Sequence, residues 1–323
     1  MEIFNQSKIY KFMEFSTIMI TASVIFWIAT IVALSVQGLN YGIDFAGGTV
    51  AQVKYNGDAP IDLIREHIAK EPFFKGASVT EFGGKDEVTI RFSGSMETVG
   101  EDVGDKIKAA LEGTGEFELR QVGMVGPKVG DELRRKGIMA ISFSLIAILA
   151  YIAFRFEWRF GIAAIVSEFH DVIIIIGIIS LLQIDVNLEI LAAVLTLVAY
   201  SINDTIVIFD RIRDELKTSK NSNLFSIINI SVSKTLSRTT LTSLTTIFVV
   251  LALLVFGGES IYGFALVLTI GIVIGTYSSI FIAAPLLKWL KFDVNAYRAN
   301  IARKEKEKIE RAKMRAQYER GAI

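Results

Sequence analysis

LEILAAVLTLVAYSINDTIVIFDRIR, residues 188 to 213, is long and apolar enough to cross a bilayer, yet Asp204 lies inside it. With a span entering at Leu188 and leaving at Asp210, Asp204 sits six residues, about 9 Å of helical rise, from the far boundary. A carboxylate at mid-membrane costs roughly 2.5 to 3.5 kcal/mol on insertion scales, so it faces a protein interior or a wet cavity and has a partner. Two readings stand side by side: a satisfied structural polar residue, or a group that carries protons or pairs with a cation.

The remainder of the chain agrees with a bilayer setting. Its 323 residues are 52% hydrophobic, with a mean hydropathy of +0.47 and only four prolines. The formal net charge is zero, so partners are read from the distribution of charge, and no nucleic-acid partner is expected. Cysteine is absent, which excludes disulfides, thiolate catalysis and zinc–cysteine sites. His67 and His170 are the only histidines, so no metal site is expected. There is no P-loop, dinucleotide fingerprint or catalytic triad, and the expectation is a non-enzyme without cofactor.

Residues 1 to 15 are polar, and 16 to 36 form an uncharged apolar run that reads as the first transmembrane helix and an uncleaved anchor. Residues 37 to 136 read as a soluble α+β domain. TVAQVKY (49 to 55), IDLIREHIAK (61 to 70), ASVTEF (77 to 82), EVTIRF (87 to 92), a helical pattern over 95 to 112 and FELRQVGMV (117 to 125) give the order β-α-β-β-α-β. Gly83-Gly84-Lys85 fits a hairpin between the middle strands, and the order is that of a ferredoxin-like domain. One sheet face is then covered by helices, and the other is either open to a partner or simply solvated.

Five further apolar segments, 138 to 154, 160 to 182, 188 to 210, 239 to 256 and 261 to 287, bring the count to six spans, with helices two to six lying within 137 to 290. Lys and Arg number two at the N-terminus, two in FRFEWR (154 to 159), six in 211 to 238 and eleven from Lys288 onward, against none in 183 to 187 or 257 to 260. Both termini are therefore expected in the cytoplasm and the 37 to 136 domain outside. Arg134-Arg135-Lys136, at the outer edge of the second span, runs against this pattern. The charged tail, 291 to 323, reads as a solvated or membrane-surface helix.

Charges inside the spans are few: Glu168, His170 and Asp171 in the third, Asp204 in the fourth and Arg238 at the inner start of the fifth. Asp204 and Arg238 fall at compatible depth and are expected to pair, so that movement changing their separation couples to protonation. Glu168, His170 and Asp171 are secondary polar candidates. Thr242 and Thr245, with Thr246, form a hydroxylated stripe that orients water near Asp204 or bonds its own backbone. Gly263, Gly271 and Gly275 offer close helix packing, and Gly47-Gly48 is too short a glycine pattern for a phosphate site.

Taken together, GIDFAGGT (42 to 49), VGPKVGDEL (125 to 133), FRFEWR, HDV (170 to 172), YSINDTIVIFDRIRDE (200 to 215), LSRTTLTSLTT (236 to 246) and IGTYSSIFIAAPLL (274 to 287) resemble the SecF branch of the SecD/SecF translocase family, in the resistance-nodulation-division superfamily. The resemblance implies a multi-pass protein of the bacterial inner membrane that pairs with SecD, works with SecYEG and YajC on exported polypeptides among membrane lipids, and couples export to protons, its domain being periplasmic. It puts Asp204 and Arg238 on the family's intramembrane Asp and Arg, and Asp44, Gly47 and Gly48 in a structural motif, while Glu168 departs from the pattern. A half-size small-molecule or lipid exporter would need a larger outer domain, and a non-transporting scaffold would leave the buried charges purely structural.

Overall fold

The uncharged run Ser16–Val36 forms the first helix, α1, in a computed structural model that describes residues 8–82, 84–92 and 103–319. The chain then makes a short turn of helix, α2 (Ile43–Ala46), and enters an α+β domain that stands outside the helix bundle and is for that reason called the outer domain: β1 (Gly48–Tyr55), α3 (Ile61–Lys70), β2 (Ser78–Phe82), β3 (Gly84–Phe92), α4 (Val103–Ala110) and β4 (Phe117–Val125). The sheet order is β2-β3-β1-β4 with every neighbour antiparallel, the ferredoxin-like arrangement expected from the element order. Gly83 of the expected hairpin and residues 95 to 102 of the expected second helix lie outside the described residues, while Gly84 and Lys85 belong to β3.

Alternation explains the domain's core. Ala51, Val53 and Tyr55 of β1 and Val88, Ile90 and Phe92 of β3 point to one face, where Ile64 and Ile68 of α3 and Ile107 of α4 close over them. Phe74 and Phe92 meet edge to face with ring centroids 4.8 Å apart. Thr89 and Arg91 of β3 and Gln52 of β1 therefore lie on the other face.

Pro127, suited to a first helical turn, starts α5 (Pro127–Arg155), which runs without a break past residue 137 into the second span. Next come α6 (Trp158–Leu181), α7 (Leu188–Thr218) and α8 (Leu224–Phe256). The sixth span is α9 (Glu259–Ser278), one π turn over Ser279–Ala283 and α10 (Ala284–Trp289), and the tail forms α11 (Val294–Glu319). Among the described residues, six helices are thus long and apolar enough to cross a membrane.

The segment 211 to 238 is not the long connection its charges suggest. α7 and α8 extend into it and leave only residues 219 to 223 between them, because Ile212, Leu216, Ile227, Ile228 and Val232 form a buried apolar seam between the two helices. Arg298 of α11 closes this end by donating from Nε to the Leu216 carbonyl (2.7 Å) and from one terminal nitrogen to the carbonyls of Ser219 (2.7 Å) and Asn221 (2.8 Å). The N-terminal segment reaches the same end, where the Met13 amide donates to Asn229 Oδ1 at 3.0 Å. Both described ends of the chain therefore lie opposite the outer domain.

α6, α7 and the sixth span fill the middle of the bundle, and α1, α5 and α8 turn most of their surface outward. Small residues bring the central helices together. A Cβ built on Gly271 would lie 2.7 Å from Leu197 of α7, and one on Gly275 would lie 2.9 Å from Cβ of Ser201. Gly263 sits against Ile190 and Ile184 in the same way. Gly275→Val is expected to lower stability by about 1 to 3 kcal/mol through overpacking, read as a lower midpoint of thermal unfolding in detergent, whereas Gly57, which has open space around its Cβ position, accepts valine with little change.

Candidate functional site

Helical spacing collects the polar residues of the spans on facing surfaces. Glu168 and Asp171 are three apart on α6, Ser201, Asp204 and Thr205 lie at intervals of three and four on α7, and all five are buried. Asp171, fully buried, is the most completely bonded of the acids. Its Oδ2 accepts from Ser201 Oγ at 2.6 Å and from Ser278 Oγ at 2.7 Å, and its Oδ1 meets His170 Nδ1 at 2.9 Å. Asp171 thereby ties α6 to α7 and to α9. Beside it, Ser279 Oγ and Thr205 Oγ1 are 2.8 Å apart. The π turn begins at the second of two successive buried serines, Ser278 and Ser279, and such a turn is a common way to re-aim side chains at a functional site.

Asp204 is 3% exposed, and its Oδ2 has no hydrogen-bond partner. The Ser243 hydroxyl of α8 faces this carboxyl and is itself 2.8 Å from Thr276 Oγ1 of α9. Arg238 acts on Asp204 through space but makes no ion pair with it among the described residues. The reason is its place on α8: Thr239 and Ser243 are buried, whereas Arg238 lies on the exposed flank. The threonine stripe bonds its own backbone. Thr242 Oγ1 donates toward the carbonyls of Arg238 (3.0 Å) and Thr239 (2.9 Å), and Thr245 Oγ1 toward those of Leu241 and Thr242 (2.9 Å each). Ser243, within the same motif, is the hydroxyl that reaches the acid.

Glu168 is 2% exposed and sits near Asp171 and Ser201, with neither carboxyl oxygen hydrogen-bonded. His170 turns its ring toward Trp27 of α1 (centroids 6.5 Å apart) and Tyr277 of α9 (6.2 Å), and its Nε2 is unpartnered. Tyr277 in turn bonds Ser23 Oγ at 2.8 Å. Among the described residues no three His, Asp or Glu side chains gather as metal ligands.

GIDFAGGT joins the outer domain to this bundle. The Gly42 amide donates to the Val186 carbonyl (2.9 Å), and the Val186 amide to the Asn40 carbonyl (2.8 Å). Asp44 Oδ2 accepts from the Leu188 amide at 3.0 Å, at the first residue of α7, where Asn187 Oδ1 already accepts from the Ile190 amide at 2.9 Å. Arg91 of the sheet forms an ion pair with Asp185 in the same loop. Gly47 has φ = +72°, and the chain here is so close to α5 that a Cβ on Gly130 would lie 2.9 Å from the Gly47 amide nitrogen. Gly48, at φ = +131°, starts β1. The motif is a clasp on the outer end of the helix that carries Asp204.

Other charges are accounted for locally. Arg134 pairs with Asp131 at 3.4 Å and Lys136 with Glu132 at 2.7 Å, so acids one turn back offset two of the three bases in the triplet. Asp210 meets Arg155 at 2.9 Å and Arg213 at 3.3 Å at the end opposite the domain, as a residue that ends a span.

Six spanning helices, buried carboxyls within them and an outer α+β domain clasped to one of those helices define a multi-pass membrane protein of the transport class. A sequence profile described as "Protein export membrane protein SecD/SecF, C-terminal" matches residues 94–293, and a second, "SecD/SecF GG Motif", matches residues 32–59. The chain belongs to the SecD/SecF family. It is 46% identical over the full length of both chains to "Protein translocase subunit SecF" of Helicobacter pylori strain J99. It is 44% identical to the protein of that name from Vibrio alginolyticus, over 88% of this chain and 91% of that one. Among solved structures, the crystal structure of SecDF, "a translocon-associated membrane protein", from a Thermus species superposes with a TM-score of 0.82 at 33% identity, over 90% of this chain. SecDF in its "Super-membrane-facing form" gives 0.67 at 33% identity over 94%. This chain covers 40% and 41% of those two longer chains.

Replacing Asp44 with alanine removes the acceptor at the first amide of α7 and is expected to cost about 0.5 to 2 kcal/mol locally. Hydrogen exchange at the amides of Leu188 to Leu191 should then speed up by roughly two- to thirtyfold, with α8 unchanged.

Proposed function

We propose that this chain is the SecF-type half of a protein-export complex that works with a SecD partner, draws on the proton motive force and assists late steps of polypeptide translocation through SecYEG. The observation that carries the reading is Asp204: a nearly fully buried carboxyl with one unpartnered oxygen, on a helix whose outer end is held by the outer domain. A group of this kind inside a span marks an ion or proton pathway by default. Protonation of Asp204 removes its attraction for Arg238, α7 and α8 shift against each other, and the clasp at Asn40 to Asp44 carries the shift to the sheet. One charge crossing 100 mV releases about 2.3 kcal/mol, enough to bias such a movement. No covalent bond is made or broken.

The SecD partner is supported by the coverage of the longer solved chains and by the outward apolar face of α8, where Leu244, Phe248 and Val249 are exposed around the flank that holds Arg238. The distribution of Lys and Arg supports cytoplasmic termini and a periplasmic domain in a bacterial inner membrane. Asp171 extends the polar belt from Asp204 through Ser201, and Glu168 beside it, with both carboxyl oxygens unpartnered, supplies a secondary proton-accepting position.

Asp204→Asn and Arg238→Met, expressed to the normal level, are expected to slow export of a secreted protein severalfold, measured by pulse–chase maturation, and Asp204→Asn to abolish proton uptake in vesicles reconstituted with the partner. Full export at full expression in both variants would refute the reading.

A further inference from the structure

Helices cover only one face of the outer sheet. Across the other face, paired positions line up in rows: Thr80, Thr89, Gln52 and Gln121 form one, running through all four strands. Together with the outer ends of α7 and α9 this face encloses a cleft of about 790 Å³, within the range of ligand sites. Thr89 is 2% exposed, lines the cleft, and its hydroxyl has no partner. A row of hydroxyl and carboxamide groups offers donors and acceptors together, the complement of a peptide backbone. Four strands at about 4.8 Å spacing make it roughly 14 Å long, about four residues of extended chain.

The cleft also has a sign. Its charged lining is Asp44, Glu81, Asp185 and Glu189 against Arg91, four acids to one base. Asp44 is held by the Leu188 amide, and Asp185 and Arg91 hold each other. Glu81 and Glu189 are exposed and make no hydrogen bond or ion pair among the described residues. Tyr41 and Tyr262, each nearly half exposed, stand on its wall with ring faces suited to a cation.

We propose that this cleft binds an extended, positively charged segment of polypeptide. The proposal rests on the export reading above, since it takes the cleft side as the outer side. There its sign has a use: a membrane potential positive outside opposes outward passage of each Lys or Arg. Acids at the exit hold the basic segments most prone to slip back. Phospholipid phosphates are repelled by the same acids. The floor of the cleft is the loop before α7 and the start of that helix, so displacement of α7 changes the grip on the segment.

The test uses the full-length chain in detergent and two labelled, unstructured peptides identical except for Lys in one where the other has Glu. The Lys peptide binds, more weakly as salt rises, and binds at least tenfold more weakly to the Glu81→Gln/Glu189→Gln variant. A photo-crosslinking residue in place of Gln121 captures it, and one in place of Leu63, exposed on α3, does not. Equal affinity for both peptides, unchanged affinity in the double variant, equal capture at the two positions, or a cleft filled by copurified lipid with no peptide bound would overturn the proposal. Neither readout needs proton flow. A negative result therefore condemns the cleft and not the export reading, which stands or falls on the Asp204 export assay.

Discussion

Polar groups buried inside a membrane bundle must find partners within the protein, because lipid offers none. Asp171 shows what that requirement does to this fold. With Ser201 from α7, Ser278 from α9 and its own neighbour His170 bonded to its two oxygens, it ties three spans into one unit. Those are the spans with the most buried surface, and the glycines that let α9 approach α7 flank the same level of the bundle. α1, α5 and α8 lean on this unit without completing it. Small residues and one satisfied carboxylate thus set the geometry in which Asp204 is left with a free oxygen.

The contrast between Asp171 and Asp204 separates a structural acid from a candidate working one. Asp171 has three partners at 2.6 to 2.9 Å and cannot move without breaking all of them. Asp204 faces Ser243, whose hydroxyl is shared with Thr276, and has a cation nearby but not in contact. Glu168 has neither partner nor cation among the described residues. A buried group without bonds is costly in a structural role, and such costs persist where function requires them.

Much of this was legible from residue pattern. The alternation in TVAQVKY, EVTIRF and FELRQVGMV placed three strands, the first one residue short at its start, the second three residues short at its start and the third matching at both its ends, since one sheet face is buried. The apolar runs located six spans. Charge density misled at 211 to 238, where basic residues on the outer side of α7 and α8 masked the apolar seam of Ile212, Leu216, Ile227 and Val232. Within SRTTLTSLTT no pattern distinguishes the buried face, because α8 is apolar nearly all round and hydroxyls sit on every side. Only the packing of α9 shows that Ser243, not Thr242 or Thr245, meets the acid. Ser278 and Ser279 could not be aimed from helical phase either, because the π turn alters that phase just there.

Depth along the helices indicates what kind of motion could join Asp204 to Arg238. Counted from the outer ends, Asp204 lies sixteen residues below Leu188, about 24 Å, and Arg238 eighteen below Phe256, about 27 Å. Ser243, which faces Asp204, marks its level on α8 more directly, and Arg238 lies five residues, about 7.5 Å of rise, below it. Azimuth separates them as well: Arg238 is one position from buried Thr239, about 100° around the helix. Partial rotation of α8, with the long Arg side chain reaching up over that rise, would close the gap. Ser243 would turn away from Asp204 in the same movement, exchanging a hydroxyl neighbour for a charged one. On the proposed reading that exchange is the step protonation reverses, and the clasp at Asp44 is where its effect leaves the membrane.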